Sequence, residues 1–573
     1  MPNIDDLIES IMGPAADVMS AVVFFELPIF GGMPIIVLWL AVGALFMTVW
    51  LRFQPISGFR TSLQVIRGRF TRKTDPGEVS SFQALATELS GTVGLGNIAG
   101  VAVAVSLGGP GAALWIAAFG VLGMSMKMAE ATLGSKFRIV REDGTVEGGP
   151  MVYLRDGLAS IGYRRLGVVL GSVYAVFTVL GAFGADLFQT NQVAAIVADS
   201  SGSEFLQGNT WLLGAVIAVL VGIVIFGGVT SIARWTSRIT PAMALLYMVC
   251  VIAVIIVNIE NVPAALGSMV DGVFTGEGIT GGVVGVAIIG IQRALFSNGA
   301  GVGTAGISHA ASKTKHPATE GFTAMWEPLI DSVVVCMLTA TAIVVTGKHL
   351  EGSGESTEGV QLTASAFSTV ADWFPLLLTL AVALFGYSTL LAYAYYGEQA
   401  LTYLFGYKKS IIYTFRALWI VGAVIGSAAS LDAVVAFGDA SFFLMAVPNI
   451  LGIYVLARVV RLEIFGFSRR LRTGSIAAIE DEDLRVGLRD HEPTEEQTAQ
   501  AEREEREEKK RLATLHRTLS DDPDFPVRAK DHRDDLASPM GAPDEPIPDT
   551  GQFRAVDPED GDDSPADGSH RVD

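Results

Sequence analysis

The sequence holds little of what catalysis and cross-linking require. Of its 573 residues, two are cysteine, seven are histidine and 17% are charged. Cys250 and Cys336 both fall within apolar runs and read as small packing residues, so neither a disulfide framework nor a metal site is expected. His309 has no second His, Cys or acid at metal-ligand spacing and reads as a structural hydrogen-bonder. No His, Cys or acidic ligands cluster in the middle of the apolar runs, which argues against a membrane enzyme. The rings of filters or steep charge patterns of a channel are also missing. The first residues lack a charged region and a cleavage site, so no removable signal peptide is expected. No nucleic-acid partner is expected.

What the chain has instead is apolar length. Half its residues are hydrophobic, 63 are glycine, and the mean hydropathy is +0.45. Runs of about 20 apolar residues, enough to cross a bilayer, recur at 34–52, 82–106, 111–135, 166–197, 211–229, 240–258, 281–307, 323–347, 374–397, 411–430 and 436–460. The expected fold is all-α: a polytopic membrane protein of eleven transmembrane helices.

Charge sets the orientation. Lys and Arg gather in alternate loops, as in Arg52–Lys73, Lys136–Arg165, Arg234 with Arg238, Lys313 with Lys315, Lys408 with Lys409, and Arg458–Arg470. By the positive-inside rule the N-terminus lies outside and the C-terminus in the cytoplasm, which makes this a multi-pass protein of the cell membrane. The formal charge of −19 is mostly tail: residues 471–573 hold 29 acidic against 14 basic residues. That stretch should be disordered, apart from a possible charged helix near 494–518. It reads as a solvated extension that leaves room for an unknown cytoplasmic partner.

The most informative feature is a repeated glycine pattern. Ser90-Gly-Thr-Val-Gly94-Leu-Gly96-Asn97 and Ser297-Asn-Gly-Ala-Gly301-Val-Gly303-Thr304 match at an offset of 207 residues, which also carries Pro110 onto Pro317. Glycines weaken helices, and backbone freed inside a bilayer must find partners in protein or in a wet cavity. Paired, Gly-interrupted spans point to a secondary transporter's binding site. The two runs have opposite directions by the charge rule, which makes an inverted repeat of five plus five spans with two discontinuous helices and one extra N-terminal helix. The expected divisions are 1–80 (first helix and basic loop), 81–260 and 261–465 (the two repeats), and 466–573 (tail). Exposed N–H groups at a half-helix start favour a carboxylate, and free carbonyls favour a cation. A zwitterionic amino acid with Na⁺ suits such a site.

The run Ser81-FQALATELSGTVGLGNIAGVAVAVSLGGPGAALW, with GMSMKMAEA, EGGPMVYL, FGGVTSIARWTSRITPAM, FSNGAGVGTAGISHAA, WEPLID, YYGE at 395–398 and MAVPN at 445–449, resembles the alanine or glycine:cation symporter family from about 30 to 465. The resemblance implies a leucine-transporter-type core that imports a small neutral amino acid by alternating access with Na⁺ or H⁺ as coupling ion, Na⁺ being the one expected. It also implies site residues. Gly94, Leu95, Gly96 and Asn97 would form the unwound part of the first core helix, with Asn298 and Gly301 as its counterpart. Gln189 and Asn191 match a polar pair on the third core helix; being two apart they diverge by about 200°, and Gln189 is favoured to face the site. Ser388 and Thr389, with carbonyls near Ser90 and Val93, would hold sodium.

Several polar groups stay open. Asp186 is ionisable within a span. Lys127 with Glu130, and Glu327 with Asp331, could form a gate or a static ion pair, and Arg416 with Asp439 is another plausible pair. Glu88 could carry a proton or sit in an inner vestibule. The chain departs from the family at Leu95 (usually Thr), Tyr393 (usually Trp, beside the pocket) and Gly299 (usually Glu), which bears on substrate choice and leaves a transport-deficient sensor or a sodium conductor as alternatives.

Overall fold

The computed structural model describes residues 18–26, 33–72, 74–141, 144–275, 282–350 and 359–473, with Ile476, Arg503, Arg506 and Lys510. The rest of the acidic tail, including most of the helix expected near 494–518, lies outside the described residues.

Helices make nearly all of it. In chain order they are α1 (Ile35–Trp50), α2 (Ser81–Thr92), α3 (Ala99–Gly108), α4 (Ala112–Lys136), α5 (Arg164–Ser200), α6 (Thr210–Ile225), α7 (Gly228–Val257), α8 (Val262–Thr275), α9 (Gly282–Asn298), α10 (Thr304–Ala310), α11 (Pro317–Val345), α12 (Gly359–Ser368), α13 (Pro375–Phe405), α14 (Lys409–Ala428), α15 (Leu431–Leu444) and α16 (Ala446–Arg472). Among the described residues, seven helical stretches are long and apolar enough to cross a membrane, and the bent pair around α2 and α3 makes an eighth. Three shorter apolar helices are α1, α6 and the greater part of α9. The expected run at 240–258 is the end of a longer helix that starts at Gly228, and α8 and α12 were not expected at all.

Many of these helices are apolar all round, the mark of a membrane span or a deeply buried helix. Val219, Ile223, Leu245, Val249 and Ile256 point outward and are each more than half exposed, while the opposite faces of the same helices are buried. Such a surface is at home in lipid.

Local chemistry sets where the helices start and break. Ser80 caps α2: its hydroxyl accepts from the Gln83 amide at 3.2 Å and Gln83 Oε1 accepts from the Ser80 amide at 3.0 Å. At its far end α2 stops at Val93, and the chain bends 58° into a 3₁₀ turn at Leu95–Asn97 before α3. Between α9 and α10 the chain passes through Gly299, Gly301 and Gly303 at φ +61°, +96° and +100°. Only glycine takes this left-handed path without strain. A Cβ on Gly303 would also lie 2.6 Å from Pro150 and 2.7 Å from the Tyr174 hydroxyl.

Two ties join the segment before α2 to the segment after α10. Val79 and Ser312 form a bridge, with the Lys313 amide donating to Val79 O at 2.7 Å and the Glu78 amide to Ala311 O at 2.8 Å. The Arg138 guanidinium, just beyond α4, donates to the carbonyls of Pro76, Ala310, Ser312 and Thr314. Burial holds that guanidinium's pKa below its ordinary value, while Glu320 and Asp75 oppose the shift.

Candidate functional site

A cavity of about 50 Å³ lies beside the first break. That volume admits only a few water-sized groups. Glycines form much of its wall: Gly91, Gly94 and Gly96 from the first broken helix, Gly181 and Gly184 from α5, and Gly438 from α15. Leu95, Phe188, Phe296, Tyr393 and Phe442 supply apolar and aromatic surface, and Thr92, Gln189 and Asp439 supply polar groups. Tyr393 packs edge-on to Tyr396 at 5.3 Å between ring centroids. Gln189 Oε1 is buried without a hydrogen-bond partner. The amides that open the 3₁₀ turn lack helical carbonyls behind them.

Of the residues expected to bind solute, Gly94, Leu95, Gly96, Gln189 and Tyr393 line this cavity, and Asn97, Asn191, Asn298 and Gly301 do not. Those four are engaged within the protein. Asn97 Oδ1 accepts from the Gly94 amide at 2.9 Å, and its Nδ2 donates to Asp331 Oδ1 at 2.6 Å. Asn191 Nδ2 donates to the carbonyls of Gly426 and Ala429 at 3.1 and 2.8 Å, closing the end of α14. Asn298 bonds its own turn through the Ala300 amide at 2.9 Å, and Ser332 at 3.0 Å. The Gly301 amide donates to Glu130 Oε1 at 2.8 Å, and its carbonyl accepts from Asn449 at 2.8 Å.

Three of the four residues expected around sodium meet one another. Thr389 Oγ1 donates to the Ser90 carbonyl at 2.8 Å, and Ser90 Oγ donates to the Ser388 carbonyl at 2.9 Å. Ser388 Oγ is buried beside them, donating to Phe385 O at 2.9 Å. Val93 is the extended residue that ends α2. A Cβ on Gly94 would lie 3.3 Å from Thr389 Oγ1, so these oxygens adjoin the cavity wall. Neutral hydroxyl and carbonyl oxygens are the donors a hard monovalent cation takes, and their neutrality keeps binding reversible. Among the described residues no group of three His, Cys, Asp or Glu could hold a metal ion.

Sequence reasoning underrated the buried charge. Lys127 Nζ lies 2.5 Å from Glu88 Oε1 and 3.3 Å from Glu327 Oε2, all three side chains fully buried. Glu88 also accepts from Thr304 at 2.6 Å, Ser308 at 2.5 Å and Tyr396 at 2.6 Å. It is therefore neither isolated nor in a vestibule. Gly299 is 3.7 Å from Lys127 Nζ at its Cβ direction. The nearer carboxylate facing Lys127 thus comes from the first broken helix, while the second contributes Gly299 and the Thr304 hydroxyl, 3.3 Å from Nζ. Asp331 sits in a π-helical stretch, Leu329–Cys336, a widened turn often found at functional sites, and also accepts from Ser297 at 2.7 Å.

Other pairings differ from expectation. Arg416 pairs with Glu398 through two nitrogens at 2.8 and 3.0 Å rather than with Asp439. Asp439 lies in the cavity wall, where Arg293 is the charge that acts on it. His309 contacts two acids, Glu320 and Glu327, each at 2.8 Å. Asp186 is buried against Gly422 with neither carboxylate oxygen hydrogen-bonded, so it is not at a wet helix end.

The family model described as the sodium:alanine symporter family matches residues 17–480. The chain belongs to that family. It is 37% identical over 427 residues to the sodium/alanine symporter AgcS of Methanococcus maripaludis, covering 74% of this chain and 92% of that one. It is 30% identical over 455 residues to the putative sodium/proton-dependent alanine carrier protein YrbD of Bacillus subtilis (77% and 91%), and 31% identical over 446 residues to the probable sodium/glutamine symporter GlnT of the same organism (77% and 89%). Among solved structures, MhsT in complex with L-phenylalanine matches at 14% identity and a TM-score of 0.47, over 68% of this chain and 98% of that one, too distant a likeness to argue from. Membership makes the chain a multi-pass, cation-coupled amino-acid transporter and not an enzyme.

Proposed function

We propose that this transporter imports a small neutral amino acid such as alanine or glycine, driven by sodium, through eleven spans, one N-terminal helix followed by two inverted repeats of five, 81–260 and 261–465, with the N-terminus outside. The observation that carries the reading is the shared use of the first break. Ser90 offers its carbonyl to Thr389 four residues before Gly94, and Gly94 lines the solute cavity. A cation held by Ser90, Val93, Ser388 and Thr389 would fix the backbone whose amides receive the substrate carboxylate. Each ligand then binds better when the other is present, which is all that coupling requires.

The walls argue for a small side chain. Six glycines put backbone where other residues would put side chains, and Leu95, Phe296 and Phe442 leave an apolar end. This favours alanine or glycine over the glutamine named for one relative. The test is uptake of radiolabelled amino acids into proteoliposomes under an inward sodium gradient. Saturable alanine or glycine uptake that collapses when potassium replaces sodium supports the reading. Unsaturated sodium conductance without solute uptake, or no uptake by a folded protein, sinks it.

A further inference from the structure

Five buried carboxylates surround the inner half of the second broken helix: Glu88, Glu130, Glu320, Glu327 and Asp331, all 0% exposed. Against them stand Lys127 and His309. We infer that His309, clamped between Glu320 and Glu327, is a proton-binding site of this transporter, where one proton beyond the neutral ring's own N–H is shared among the three groups while the inner side is closed.

Hydrogen-bond bookkeeping drives the inference. His309 Nδ1 lies 2.8 Å from Glu320 Oε2, and Nε2 lies 2.8 Å from Glu327 Oε1. A carboxylate can only accept, and a neutral imidazole has one N–H. Each contact needs one hydrogen, so the triad holds two. Either the ring is an imidazolium between two carboxylates, or it is neutral beside one protonated glutamic acid. Remove one proton and a ring lone pair faces a carboxylate lone pair at 2.8 Å, with a further negative charge in a site closed to water. That arrangement is expensive, so proton loss and separation of these groups go together.

Most groups facing the triad are engaged elsewhere, Glu130 Oε2 being buried without a hydrogen-bond partner among the described residues. Lys127 on α4 is already paired with Glu88 on α2. Glu130 on α4 accepts from Gly301 and Asn449, and Asp331 on α11 from Asn97 and Ser297. Tyr396 on α13 donates to Glu88, and Tyr153 to Asn449. Arg138 is engaged by four carbonyls. One route outward is visible: Ser81 Oγ donates to Glu320 Oε1 at 2.6 Å, and Ser81 is 8% exposed.

The triad also reaches the solute site. Glu327 meets Lys127, Lys127 meets Glu88, and Glu88 meets Tyr396, which packs on Tyr393 in the cavity wall. Once α10 separates from α11 the ring is wetted, and the shared proton is lost near neutral pH, where an exposed imidazole titrates at about 6.5. The closed form therefore binds more protons than the open form. Rising pH favours opening, by up to about tenfold per pH unit for each proton. The role in the cycle rests on the transport reading above, whereas the site itself rests on geometry alone.

The discriminating variant is Glu320→Gln. Its amide can donate to Nδ1 while Nε2–H donates to Glu327, which satisfies the triad with a neutral ring and no shared proton. Purified full-length protein is compared between about pH 6 and pH 9 in two ways: thermal unfolding midpoint in detergent, and sodium-driven alanine uptake in proteoliposomes. For the native chain the midpoint should fall as pH rises and uptake should change about fivefold or more. In Glu320→Gln both profiles should flatten while uptake persists. Glu327→Gln, whose amide can donate to Nε2 while Nδ1–H donates to Glu320, is the second variant if the first does not fold, and should flatten the midpoint profile too. A variant that keeps the native pH dependence in both readouts overturns the inference. Absence of uptake from every protein, with the midpoint contrast intact, would remove the transport reading and leave the proton site standing.

Discussion

The two broken helices carry one sequence pattern and do different work. At the first break, Gly94, Leu95 and Gly96 line the cavity, and Asn97 closes the turn from within. At the second, three left-handed glycines are tied down on all sides: Ala300 to Asn298, Gly301 to Glu130 and Asn449, and the Val302 carbonyl to Tyr174 at 3.0 Å. Backbone exposed by a break is available to a ligand only where protein has not already taken it. On that ground we propose the first break as the binding surface. The second is a charged joint between helices, anchored through Glu130, and through Thr304 and Ser308 to Glu88.

The largest expected contrast is between equivalent glycines. Gly303→Ala places a Cβ 2.6 Å from Pro150 at φ +100°, and should destabilise the fold by about 3 kcal/mol, read as lost monodisperse yield. Gly96→Ala meets nothing nearer than 3.4 Å. It should fold normally yet lower uptake about tenfold or more, the effect of one methyl group in a tight pocket. Equal damage to folding at both positions would erase the distinction.

Next comes the joint itself. Glu88→Gln removes the charge nearest Lys127 and leaves Glu327, at 3.3 Å, as its acidic partner, and should lower stability by about 3 kcal/mol. Adding Lys127→Met should recover most of it, measured by thermal unfolding; a double variant no better than the single one argues against the pair. A smaller effect is expected at the cation oxygens. Ser388→Ala with Thr389→Ala should raise the sodium concentration for half-maximal uptake about tenfold, equivalent to about 1.4 kcal/mol, with folded yield retained. Unchanged sodium dependence would place the ion elsewhere.

The finest contrast lies within one helix. Gln189→Ala should raise the alanine KM several-fold without moving the unfolding midpoint, because Gln189 Oε1 faces the cavity without a partner. Asn191→Ala should do the reverse, costing about 1 kcal/mol of stability with KM unchanged, since its amide closes α14. Reversal of that pattern would exchange their roles.

What could be read from sequence follows from how far each interaction reaches. Apolar runs and glycine clusters are local, so the helices and both breaks were legible. The divergence of Gln189 from Asn191 was also local, a matter of helical period. The partners of Asn97, Asn191 and Asn298 were not: Asp331 stands 234 residues from Asn97, and Gly426 stands 235 from Asn191. His309 is the hydrogen-bonder expected, but its two acids, 11 and 18 residues on, lie beyond a turn that only the fold closes. The pairing of Glu88 with Lys127 crosses two helices, and no spacing rule predicts it.

Equilibrium binding of alanine to the purified protein in detergent, titrated with sodium, tests the shared use of the first break most directly. Alanine should bind at least about fivefold more tightly in saturating sodium than in potassium, and Ser388→Ala with Thr389→Ala should abolish that difference while weak binding remains. Alanine affinity indifferent to sodium in the native chain would contradict a single break serving both ligands.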